Sequence, residues 1–102
     1  MKIQLSDGST VTLSERFTHR VNREFLMALN PDKDGSVNVR GVIEATEAVL
    51  PLLIEKIEAG SAEMPFSREW LDDLLAEDYD ALQAAVIEIK NRGAEEGKKN
   101  RG

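Results

Sequence analysis

The apolar positions change period several times along this chain, and each change predicts a different element. Ile3 and Leu5, then Val11 and Leu13, alternate with polar residues on either side of Ser6-Asp7-Gly8-Ser9. Such alternation belongs to half-buried strands, and an Asp-Gly pair supplies the positive φ that tight hairpin turns use. A β-hairpin over about residues 2–13 follows. A two-stranded hairpin is marginal in water, so this one needs a covering helix or another subunit's strand, and its edge is a candidate seam for a homo-oligomer.

From Ser14 the spacing lengthens to three and four. Phe17, Val21, Phe25, Ala28 and Leu29 fall on one face of a helix predicted over about 14–29, with Ser14 as its N-cap. Arg16, Arg20 and Arg23 line the opposite face, a basic ridge open to an acidic partner or simply to solvent. The string Asn30-Pro31-Asp32-Lys33-Asp34-Gly35-Ser36 ends that helix. A second helix is predicted over about 39–59, with Val42, Thr46, Val49, Leu50, Leu53 and Ile57 buried and a kink or break at Pro51, whose ring crowds the carbonyl of Glu47. The run Val49 to Ile54 is broad for one face, so Leu50, Leu52 and Ile54 are candidate partner contacts.

Ser67 reads as the N-cap of a third helix, about 67–76, with Phe66 placed to staple onto Leu71. Acidic Glu69, Asp72 and Asp73 suit its positive end. Asp78 is expected to cap a fourth helix, about 78–92, whose stripe is Tyr79, Leu82, Val86 and Ile89 and whose end is Asn91-Arg92-Gly93. Residues 93–102 read as a disordered polar tail. The fold class is therefore α+β, mainly α: an N-terminal β-hairpin followed by about four helices in one domain, residues 1–92.

Composition narrows the function more than it defines it. The 102 residues contain no cysteine, which removes disulfides, thiolate metal sites and thiol catalysis and suits a cytosolic protein. No apolar run approaches the roughly 20 residues of a membrane span, and no signal peptide is apparent, so a soluble, unprocessed protein is expected. Of the net charge of −6, residues 1–40 carry +1, residues 41–91 carry −9 and the remainder +2. So acidic a body repels phosphate backbones, and nucleic acid is not an expected partner.

Two chemistries turn on motif spacing. Asn30, Asp32, Asp34, Gly35, Ser36 and Asn38 fall at calcium-loop positions one, three, five, six, seven and nine, but position twelve is Gly41 rather than the bidentate Glu. The loop is thus a weak calcium candidate, through Asn30, Asp32, Asp34, Ser36 and Asn38. The lone His19 lacks the company of a catalytic triad, the carboxylates between Asp72 and Asp80 serve helix starts, and no phosphate-binding glycine loop occurs. No enzymatic activity and no cofactor are expected.

The order of elements has a resemblance. A hairpin containing Asp7-Gly8-Ser9-Thr10-Val11-Thr12-Leu13, a basic first helix, a longer apolar helix, then Pro65-Phe66-Ser67-Arg68-Glu69-Trp70-Leu71-Asp72-Asp73-Leu74 and Asp78-Tyr79-Asp80-Ala81-Leu82, resembles the small tail assembly chaperones of long-tailed bacteriophages and prophages. The likeness covers residues 1 to about 92; the loop Asn30 to Ser36 is not part of the pattern. It implies a non-enzymatic protein of the bacterial cytoplasm, absent from the mature virion, that keeps the tape measure protein soluble until tail tube protein polymerises around it. Leu50, Leu52, Ile54 and Trp70 would be the apolar contacts. It also implies a longer frameshifted form, for which codons of Gly97-Lys98-Lys99 offer a slippery site. A head-tail or tail connector is the alternative, and a calcium-binding module the lesser one.

Overall fold

The computed structural model describes the backbone of residues 1–99, and side chains as far as Gly93. The fold is α+β, with an N-terminal hairpin, four helices and one four-stranded antiparallel sheet. Strands β1 (Lys2–Gln4) and β2 (Thr10–Leu13) form the expected hairpin, with Ile3 opposite Val11. Gly8 takes φ 91° in its turn, and Asp7 accepts hydrogen bonds from the backbone N–H and hydroxyl of Ser9. Those two donors hold the Asp7 carboxyl below its usual range.

Helix α1 spans His19–Leu29, four residues later than the Ser14 cap predicts. Thr18 is the N-cap, accepting from the backbone N–H of Val21 at 3.3 Å. Ser14 instead follows directly on β2, and its N–H donates to the Leu53 carbonyl at 2.8 Å. Arg16 consequently precedes α1, and the basic ridge shrinks to Arg20 and Arg23, both exposed. Val21 and Phe25 are buried, and Phe17 meets Phe25 edge-on at 6.1 Å.

Helix α2 spans Val39–Leu53 and continues through Pro51 for two residues. The expected helix over 54–59 is instead strand β3 (Ile54–Ala59), which turns at Gly60 (φ 66°) into β4 (Ala62–Met64). The physical reason is tertiary. β2 has a free edge once β1 occupies the other, and β3 fills it with Val11 opposite Ile57 and Leu13 opposite Ile54. Ile57 lies four residues beyond Leu53 and so continues the helical stripe in sequence, yet it is buried as an inward strand residue. The sheet order is β1-β2-β3-β4.

Helix α3 (Arg68–Asp72) is shorter than expected but starts at the predicted cap, with Ser67 Oγ accepting from the Trp70 N–H at 3.0 Å. Helix α4 spans Ala76–Lys99 and runs past Gly93, where an end was expected; residues 100–102 of the expected tail lie outside the described residues. Asp78 is inside α4 rather than at its cap. Its buried carboxylate accepts from the Ser6 N–H at 2.9 Å and the Ser6 hydroxyl at 2.7 Å, tying the first hairpin's turn to α4. One core cluster unites the sheet residues Leu5, Val11, Leu13 and Ile57 with helix residues that include Phe25, Val49, Leu50, Leu53, Leu71, Leu82, Val86 and Ile89.

Candidate functional site

The expected apolar partner contacts do not form one surface. Leu50 is 0% exposed and belongs to the core cluster that sheet and helix residues share. Leu52, 37% exposed, points elsewhere on α2. Ile54 is half-buried in β3, beside Met64, Pro65 and Phe66 in a shallow depression along the second hairpin. Trp70 packs edge-on against Phe66 at 6.0 Å and leans on the core. Ile54 and Trp70 thus share Phe66 as a neighbour, Leu50 is core, and Leu52 is the most exposed of the aliphatic three.

The loop between α1 and α2 spends its polar groups locally. Asn30 is the C-cap of α1, in the left-handed conformation at φ 43°. Asn38 is the N-cap of α2, its Oδ1 accepting from the Gly41 N–H at 2.7 Å. Asp34 accepts from both the N–H and the hydroxyl of Ser36, at 2.9 and 2.6 Å, which lowers its pKa from the usual carboxylate value. Asp32 accepts a longer bond from Ser36. Gly41, where a calcium loop would place its bidentate acid, approaches α1 so closely that a Cβ would stand 2.5 Å from the Leu29 carbonyl oxygen. Packing explains that glycine. Among the described residues, no three His, Asp or Glu side chains converge so as to hold a metal ion.

A different constellation is present between α2 and the α3–α4 corner. Ile43 and Glu47, one turn apart on α2, face Leu71 and Asp72 of α3, Leu74 of the connecting turn, and Ala76, Tyr79 and Asp80 of α4 across a groove of about 310 Å³. The Tyr79 hydroxyl sits 3.5 Å from the Ile43 carbonyl and spans the floor. Burial, and then the charge of Glu47, push the Tyr79 phenol up to about 12. Leu75, between two lining residues in sequence, is 58% exposed, and Ile43 is itself partly open to solvent. Arg68 reaches in from α3, 2.7 Å from Glu47 and 3.4 Å from Asp72. Arg68 is the single base among Arg68 to Asp80, a stretch with six acids.

Pattern reading missed Ile43, Glu47, Leu74 and Tyr79 as a group. The legible signal was a surplus: Leu74-Leu75 leaves one leucine more than a short capped helix can bury. His19 lies elsewhere, in a depression with Phe17, Thr18, Asn22 and Lys90. Among the described residues, no helix is long and apolar enough to cross a membrane. Compared with protein-family models, curated proteins and solved structures, the chain has no significant match.

Proposed function

We propose that this chain is a non-enzymatic binding protein of the tail assembly chaperone kind. It acts in the bacterial cytoplasm, holding apolar helical segments of a tape measure protein in solution until tail tube protein polymerises around them. The observation that supports this function is the groove between α2 and the α3–α4 corner, where Ile43, Leu71, Leu74 and Tyr79 form apolar walls. Helix-in-groove recognition uses such surfaces, with aliphatic and aromatic anchors entering from the partner. The order of elements, from hairpin through basic helix to the paired acidic helices, supports it independently of the groove.

Co-expression with a tape measure protein from the same genome tests the function. The expected result is a soluble complex that co-elutes on gel filtration, and purified virions that lack the chain by mass spectrometry. A tape measure protein that stays insoluble with the chain present overturns it. Recovery of the chain in stoichiometric amounts from virions would instead make it a tail connector.

A further inference from the structure

The groove's rim says what kind of helix it takes. Glu47 contributes a carboxylate from α2, Asp72 from α3 and Asp80 from α4, so the acids stand on all the elements that build the groove rather than on one helix face. Arg68 engages two of the three, Glu47 and Asp72, while Asp80 is exposed beyond it. Negative charge therefore exceeds positive charge around an apolar furrow. Three like charges bordering an apolar surface repel an acidic partner and attract a basic one, and at a rim they act mainly on encounter and selectivity.

We infer that the groove seats an amphipathic helix whose apolar stripe is bordered by Lys or Arg, and that the rim carboxylates reject the same helix bordered by Glu. The inference rests on the binding function proposed above and specifies the chemistry of the bound segment. Leu or Ile anchors at helical spacing meet Ile43, Leu71 and Leu74, while flanking bases meet Asp80, Asp72 and Glu47. Arg68 is the element that must yield, since an incoming guanidinium or ammonium competes with it for Asp72.

Titration of the full chain with two synthetic helical peptides of identical leucine stripe, one with Lys borders and one with Glu borders, tests it by calorimetry. The Lys peptide should bind about tenfold tighter than the Glu peptide, the effect expected of a few exposed ion pairs, and the preference should shrink as salt rises. The double variant Ile43→Gln with Leu74→Gln, both lining the groove, keeps every charge and should weaken the Lys peptide about tenfold. Leu52→Gln, away from the groove, should leave it unchanged. Equal affinity for both peptides, with both weakened by the double variant, overturns the basic partner and leaves the groove's binding function standing. A Lys peptide indifferent to the double variant overturns the groove as its seat. Self-association abolished by the double variant makes a second copy the occupant and overturns the inference.

Discussion

The two sides of α2 are built differently. Toward α1 the seam is closed: Gly41, Ala45 and Val49, spaced four apart, form a buried stripe of small side chains, and at Gly41 the two backbones approach so closely that no Cβ fits. Toward α4 the seam is partly polar, and it is open at Ile43 and Glu47, where the groove lies. Thr46 bonds back to the Val42 carbonyl, Gln83 reaches Thr46 at 3.5 Å, and Tyr79 spans to Ile43 at the same distance. Small residues let helices meet backbone to backbone, whereas the larger Tyr79 side chain lines the groove on the open side. Stability should concentrate in the closed seam and core, and binding in the open one.

Four substitutions can break that contrast. Leu50→Ala should cost most, about 2–5 kcal/mol, because it opens a cavity under a side chain that is fully buried. Chemical denaturation measures it, and a loss below about 1 kcal/mol would return Leu50 to the surface. Gly41→Ala comes next, with about 1–3 kcal/mol lost to the clash with the Leu29 carbonyl. Its sign is diagnostic, since in an open helix the same change stabilises by roughly 0.5–1 kcal/mol. A rise in Tm for this variant would show that the α1–α2 seam is open at Gly41.

Asn38→Ala removes the α2 cap at the mouth of the closed seam and should cost about 1 kcal/mol by the same unfolding measurement. Hydrogen exchange should quicken at Gly41, whose N–H loses its acceptor. Tyr79→Phe belongs to the open seam and should have the smallest effect, within about 0.5 kcal/mol, because the hydroxyl's contact with Ile43 is long. If Tyr79→Phe proves as costly as Gly41→Ala, the two sides of α2 share the load and the contrast fails.

Local chemistry made several elements legible. Asp7-Gly8 marks the first hairpin, Ser67 caps α3, and Leu82, Val86 and Ile89 are buried at the spacing that predicts them. Each depends on neighbours within a few residues, the range over which propensity and periodicity carry information. The start of α1 was harder. Ser14 and Thr18 are both competent caps, and Thr18 takes the role while Ser14, directly after β2, donates its N–H to Leu53, 39 positions away.

The sequence by itself determined the fold class, the first hairpin, the acidic character of the middle and the helical nature of most of the remainder. Only the tertiary structure decided that residues 54–64 form a second hairpin, because Ile57 suits a helix stripe or a strand equally and the unpaired edge of β2 settles between them. It also decided where the apolar surface stays open. Ile43 and Tyr79 are 36 residues apart, and no local pattern relates them; the groove lies where Tyr79 of α4 meets Ile43 of α2, while Gly41 lets α1 close on the other side.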